Sequence, residues 1–113
     1  MDVQHSATPF VVIRLRYWSP SVFALESPAA QELLARIREV ERQEGLPGSS
    51  LAVRIEEAAA HPTTESGEKR FVVGAEDEPV MLAALERGPD LDAVALVRLR
   101  EALRGIVSQS AAG

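Results

Sequence analysis

The sequence of 113 residues predicts a single small α+β domain with two layers, in which a three-stranded mixed sheet carries helices on one face. Two kinds of pattern predict this fold. Residues 10–18 and 51–56 alternate apolar and polar side chains, as half-buried strands do, and residues 70–74 form a third short apolar segment. Residues 27–44 and 91–109 repeat apolar side chains at helical spacing. With a short helix before the last one, the predicted order is β-α-β-β-α-α.

The first predicted strand is the most apolar of the three. Its odd-numbered positions from 11 to 17 are apolar or aromatic, whereas Arg14, Arg16 and Trp18 lie on the opposite face. Pro20 ends this strand, because proline cannot donate to a sheet ladder. The apolar residues 22–25 are predicted to form a short connector that packs as a turn.

The first helix has clear start and stop signals. Ser27 supplies a hydroxyl that can cap the helix, and Pro28 occupies the first helical position, where proline is favoured. The apolar side chains share one face as far as Glu44. Gly45 then ends the helix, since glycine readily adopts the left-handed conformation of a C-terminal cap.

The middle of the chain predicts two strands, a loop and a short helix. Residues 51–56 read as the second strand, residues 58–68 as a loop of small and polar residues, and residues 70–74 as the third strand. The acids at 76–78 are typical of a helix start, where exposed N–H groups and the helix dipole attract negative charge. Gly88 closes this helix.

The last helix follows Pro89, with Asp90 as its expected cap. Its main apolar side chains fall within an arc of about 160° when successive residues are spaced by about 100°. These side chains are Leu91, Ala95, Leu96, Leu99, Ala102, Leu103, Ile106 and Val107. Val94 and Val97 lie outside this arc, beside Arg98 and Glu101, so we expect these four residues to form a surface that the domain's own sheet cannot cover.

The chain order also predicts the strand directions. A β-α-β start favours a right-handed parallel crossover between the first two strands, and the third strand is expected to return antiparallel. Residues 9–109 are predicted to form the domain. Residues 1–8 are expected to be an irregular lead-in, and residues 110–113 an irregular terminus.

Composition excludes several classes of protein. The net charge is −5, and no local run of basic residues offsets it, so no nucleic-acid partner is expected. Cysteine is absent, which excludes disulfides and thiolate chemistry. The apolar run at 10–13 is cut by Arg14, which predicts neither a signal peptide nor a membrane span and favours a cytoplasmic protein. Arginine replaces lysine at nearly every basic position, which we interpret as the mark of a GC-rich bacterial genome.

The residues that usually carry chemistry are scarce. His5 and His61 lie in predicted irregular segments, without a carboxylate or second histidine at ligand spacing. The acids at 76–78 lack the alternation of a calcium loop and are explained by the helix start. No nucleophile elbow or phosphate-binding glycine loop is present. We therefore expect no catalytic residue, no metal and no cofactor.

The remaining candidates are interaction surfaces. Arg14, Arg16, Tyr17 and Trp18 on the first strand combine charge with large rings, which dominate many interfaces. A stacking surface for single-stranded RNA is a third hypothesis for the same face, and pairing with acids on a neighbouring strand is the purely structural one. The edge of this strand, without a proline or lysine inside it, is expected to join a second copy.

The sequence thus predicts a small non-catalytic interaction or accessory module that acts through homo- or hetero-oligomerisation, with a homodimer favoured. The alternative hypothesis is a small-molecule-binding or small catalytic domain, whose pocket forms between the sheet and helices of a dimer. Its polar groups would be Arg14, Arg16, Arg54 or His61, because a lone arginine can clamp a carboxylate.

Overall fold

The computed structural model describes residues 9–16, 21–45, 50–61 and 69–112. Within these residues the chain forms three strands and four helices. The strands are β1 (Val11–Arg14), β2 (Val22–Leu25) and β3 (Arg70–Val72). The helices are α1 (Ser27–Glu44), α2 (Leu51–Ala60), α3 (Asp77–Glu86) and α4 (Val94–Ala112).

The predicted fold class is confirmed: the domain is a three-stranded mixed sheet with helices against it. The strand order is β2-β1-β3. β1 pairs with β2 antiparallel and with β3 parallel. The order along the chain is β-β-α-α-β-α-α, so the second strand and one additional helix lie where the sequence patterns do not place them.

The predicted connector at residues 22–25 is wrong, because this segment is the strand β2. Its side chains alternate between the two faces, with Phe23 and Leu25 buried and Val22 and Ala24 exposed. The antiparallel ladder with β1 satisfies the backbone on its inner side. β1 is therefore the central strand, and the expected free edge of β1 does not exist. The outer edges of the sheet belong to β2 and β3.

The predicted strand at residues 51–56 is also wrong, because it is the first part of α2. Leu51, Ala52 and Ile55 are buried, whereas Val53 is 47% exposed, which is a helical stripe and not an alternation. The side chain of Ser50 caps the helix by accepting from the backbone N–H of Val53. Residues 58–60 of the predicted loop continue this helix, and residues 62–68 lie outside the described residues.

The third strand is confirmed at Arg70–Val72, but its predicted direction is wrong. It runs parallel to β1 and not antiparallel, since α1 and α2 carry the chain back across the sheet before β3 begins. A parallel neighbour requires such a long crossover, whereas β1 and β2 need only a short connection. The predicted parallel pair of strands therefore forms, but between β1 and β3.

The helix boundaries largely follow the sequence signals. The predicted cap at Ser27 is wrong, because Ser27 is already helical and Glu26 occupies the cap position without a side-chain cap hydrogen bond. Pro28 lies in the first turn of α1, which ends at Gly45 with a φ of 66°. Gly88, with a φ of 79°, turns the chain after α3. α4 begins at Val94, later than the expected cap at Asp90, and continues to Ala112.

All four helices contribute to one core on a single face of the sheet. The strand side chains on this face are Val11, Ile13, Leu15, Phe23, Leu25, Phe71 and Val73. The opposite face carries the alternate positions and receives no described helix; we call it the open face. Its residues are Val12, Arg14, Val22, Ala24, Arg70 and Val72. Val12 is nevertheless buried, with 5% of its surface exposed.

Among the described residues, no helix has the length and apolar character needed to cross a lipid bilayer.

Replacing Ser50 with alanine tests the assignment of α2. The change removes the cap of Val53 N–H and the hydrogen bond from the Ser50 hydroxyl to Glu41, so we expect a loss of about 1 kcal/mol in unfolding free energy. Urea denaturation measures it. Ser108→Ala on the exposed side of α4 is the matched control, expected within about 0.5 kcal/mol of the parent. Equal stability of both variants would contradict the capped helix.

Candidate functional site

The open face has an apolar row with a charge at its centre. Arg14 on β1 pairs in register with Val22 on β2 and with Val72 on β3, so the three side chains form one line across the sheet. Val22 is 45% exposed and Val72 is 55% exposed, and Arg14 is exposed between them. Two of the four large apolar side chains that stand exposed in the described structure thus flank one guanidinium.

Arg14 has no electrostatic partner within the described residues. No hydrogen bond or ion pair joins its guanidinium to another described side chain, although Arg16 after β1 and Arg70 on β3 have partners. The next row of the open face consists of Ala24, Val12 and Arg70. No acidic side chain belongs to these two rows. Arg14 is therefore an uncompensated cation within the described residues, on a chain whose net charge is −5.

Arg16 does not join Arg14 as a free surface charge. Its Nε and one terminal nitrogen bind the two carboxylate oxygens of Glu78 at 3.2 and 3.0 Å. Glu78 is only 3% exposed, so this bidentate pair neutralises a buried acid at the start of α3. Tyr17 and Trp18, the predicted aromatic part of this surface, lie outside the described residues.

A second pair lies beside the first. Asp77 is 5% exposed and accepts from Arg54 of α2 at 2.7 and 3.3 Å, and from the backbone N–H of Gly74 at 3.2 Å. The hydrogen bonds with Asp77 raise the pKa of the Arg54 guanidinium above its ordinary value, against the opposing effect of burial. The same guanidinium lies 5.8 Å from the ring centre of Phe71 on β3.

The acids at 76–78 therefore do more than start a helix. Asp77 and Glu78 tie α3 to α2 and to the end of β1, each through an arginine. A Cβ at Gly74 would lie 2.9 Å from a carboxylate oxygen of Glu76, but Glu76 is an exposed side chain that can move aside. No group of three potential metal-ligating side chains occurs among the described residues. We interpret this cluster as structural.

The predicted surface on α4 is partly as expected. Val94 is 66% exposed, and Arg98 and Glu101 lie one and two turns further along the same exposed side. Val97 is half-buried, so it contributes less free surface than Val94. Glu101 pairs with Arg104 at 3.2 Å, within α4 itself.

A groove lies between α1, α3 and the turn after α3. Its volume is about 410 Å³. The guanidinium of Arg36 binds the carbonyl oxygens of Arg87 and Pro89 and the carboxylate of Glu32. The guanidinium of Arg87 binds Gln43 and Glu44. Both cations of this groove are therefore committed to internal contacts.

Of the four polar groups proposed for a dimer pocket, only Arg16 and Arg54 lie together. Both are paired with the buried acids Glu78 and Asp77. Arg14 lies on the open face, and His61 is exposed at the end of α2. His5 lies outside the described residues. The four predicted groups therefore do not form one pocket.

Comparison with models of protein families, with curated proteins and with solved structures found no match for this chain. The function is therefore argued from the side chains themselves.

The sequence patterns identify Arg14 but miss Val22 and Val72. The sequence predicts Val22 in a connector and Val72 in the third strand without a surface role. Residues 22–25 are all apolar, so no alternation marks Val22 as an outward-facing strand residue. The row itself is visible only once the register with Arg14 is known.

A double-mutant cycle tests the Arg54–Asp77 pair, because Asp77→Asn should change the unfolding free energy in opposite directions with and without Arg54. Arg54→Met leaves Asp77 buried without its cation, and we expect a loss of about 1–2 kcal/mol, less than for a fully buried pair because Arg54 remains 38% exposed. Asp77→Asn keeps the acceptor for Gly74. It should destabilise the parent protein but stabilise the Arg54→Met variant, as measured by urea denaturation. A destabilising effect in both backgrounds would contradict the pairing.

Proposed function

We propose that this protein is a small non-catalytic interaction module of the bacterial cytoplasm, which binds a protein partner through the open face. The observation that carries the proposal is the row formed by Val22, Arg14 and Val72. Exposed apolar side chains grouped around one unpaired charge are typical of interaction surfaces, whereas single scattered ones are not. The helices already occupy the other face, so a partner can approach this side of the sheet.

The outer edge of β2 adds to this surface. The backbone N–H of Leu15 donates to the carbonyl of Ser21 at 2.7 Å, and hydrogen-bonded pairs alternate along an antiparallel ladder from there. The N–H and C=O groups of Val22 and Ala24 therefore point away from β1. No described strand pairs with them. A partner that contacts the open face beside β2 can also satisfy this backbone.

Self-association through α4 is a second candidate function. Val94 is the most exposed large apolar side chain of the described residues, and Arg98 and Glu101 beside it carry opposite charges. A two-fold pair of α4 helices can place each Arg98 near the partner copy's acid, as a self-complementary surface requires. The resulting homodimer would leave the open face available.

The alternative of a small-molecule site has weaker support. The groove between α1 and α3 is large enough for a ligand, but its two arginines are satisfied by internal acceptors. A ligand carboxylate would have to displace those contacts. The interaction module therefore remains the better supported proposal.

Site-specific photo-crosslinking tests the proposed binding face. A photoreactive phenylalanine analogue at Val22 or Val72 should form a discrete covalent adduct with a protein in the native host. The same analogue at Val53 is the matched control, because Val53 is comparably exposed, at 47%, but lies on α2. Equal adducts at all three positions, or none at Val22 and Val72, would reject the open face as the interface.

Light scattering coupled to size-exclusion chromatography tests self-association. The parent chain should elute as a dimer of twice its 12.2 kDa mass, and Val94→Asp should convert it to the monomer because a buried carboxylate opposes the contact. Val53→Asp serves as the matched surface control. A monomeric parent chain at high concentration would reject the α4 dimer without affecting the open face.

A further inference from the structure

We infer that the partner of the open face is an amphipathic helix that carries a carboxylate between two aliphatic side chains. This inference rests on the proposed function of the same face and names the chemistry of its occupant. Three observations lead to it: the central position of Arg14, the lack of an internal partner for its guanidinium, and the spacing of the row.

The central position of Arg14 fixes the charge that the partner must supply. Val22 and Val72 lie on either side of Arg14 in the same row. Any surface that covers both valines must therefore also cover the guanidinium between them. Burying an unpaired arginine is strongly unfavourable, so an acceptor on the partner is required. A carboxylate suits it best, because it can accept two parallel hydrogen bonds from a guanidinium.

Nothing within the described residues can supply that acceptor. Arg14 has no described ion pair, and the two rows of the open face contain no acid. The buried acids nearby are already engaged, Glu78 by Arg16 and Asp77 by Arg54. An acceptor for Arg14 must therefore come from outside the described residues.

The same charge argues against a second copy as the occupant of this face. Two copies joined face to face would be related by a two-fold axis, and each copy would bring its own Arg14 to the contact. Arg14 of one copy would then meet like charge with no acid in either face to compensate it. A different protein, with acidic character, fits the face better than the chain itself.

The spacing of the row favours a helix. Neighbouring strands lie about 4.8 Å apart, so Val22, Arg14 and Val72 are spaced by about that distance. One turn of an α-helix rises about 5.4 Å, and side chains three or four residues apart are neighbours on its surface. A helix that crosses the strands can therefore place one aliphatic residue at Val22, an acidic residue at Arg14 and a second aliphatic residue at Val72.

RNA is the competing class of partner for an arginine on a sheet face. Bases are recognised on such sheets largely by stacking on aromatic rings, and the side chains beside Arg14 are aliphatic. The net charge of −5 further opposes a polyanion. These observations favour the acidic helix.

A charge-swap selection tests the inference. A display library of helical peptides, randomised on one face among aliphatic, acidic, basic and amide residues, is selected on the parent chain and on Arg14→Glu. The parent chain should enrich peptides with one Asp or Glu flanked by aliphatic residues three or four positions away. Arg14→Glu should instead enrich Lys or Arg at that position. A peptide selected on the parent should bind Arg14→Glu at least about tenfold more weakly.

The controls separate each way in which the inference can fail. Circular dichroism and thermal unfolding establish that Arg14→Glu and the double variant Val22→Asp/Val72→Asp are folded. Enrichment of the same acidic peptides on Arg14→Glu, or enrichment without any acid on the parent chain, would overturn the inference. So would the absence of peptides that prefer the parent chain to the double variant. Binding of an oligouridine RNA that is lost in Arg14→Glu would overturn it in favour of RNA.

Failure of the acidic-helix inference is distinguishable from failure of the proposed function. If Val22 and Val72 crosslink to a host protein whose crosslinked segment contains no acid, the open face remains an interface and only the acidic helix is rejected. If neither position crosslinks, the interface itself is rejected.

Discussion

The structure depends on the position of β1 as a strand paired on both sides and packed on one face. β2 and β3 satisfy its backbone, and the side chains at 11, 13 and 15 form the floor of the core against which the helices pack. This one-sided packing has a direct consequence for function. A side chain at an even-numbered position of β1 points away from every described helix, and Arg14 is such a residue.

Two arginine–carboxylate pairs hold α3 in place, one to the end of β1 and one to α2. Arg16 leaves the end of β1 to bind Glu78, and Arg54 reaches from α2 to Asp77. Both acids are almost fully buried, so each arginine is needed to balance a charge that water cannot reach. Arg14 differs from both, because it is exposed and has no partner among the described residues.

The sequence predicts the fold class, β1, α1, β3 and the last two helices, because those elements have long periodic patterns or explicit caps. It misassigns residues 22–25 as a turn and residues 51–56 as a strand, since a short apolar run is compatible with either period. Antiparallel pairing with β1 makes residues 22–25 a strand, and the cap at Ser50 begins a helix at residue 51. The candidate site is predictable only in part. Alternation alone places Arg14 on the outer face of β1, but the sequence patterns leave the strand register open, so they cannot place Val22 and Val72 beside it.

The most direct test of the open face as the binding surface is NMR chemical-shift mapping. The isotope-labelled protein is titrated with a partner captured from the host. The account predicts shifts confined to the open face, at Val12, Arg14, Val22, Ala24 and Val72, with the resonance of the Arg14 guanidinium moving most. Val53 and the residues of the groove between α1 and α3 should stay unchanged. Shifts centred on α4 or on that groove, with Arg14 unaffected, would contradict the claim that the open face is the binding surface.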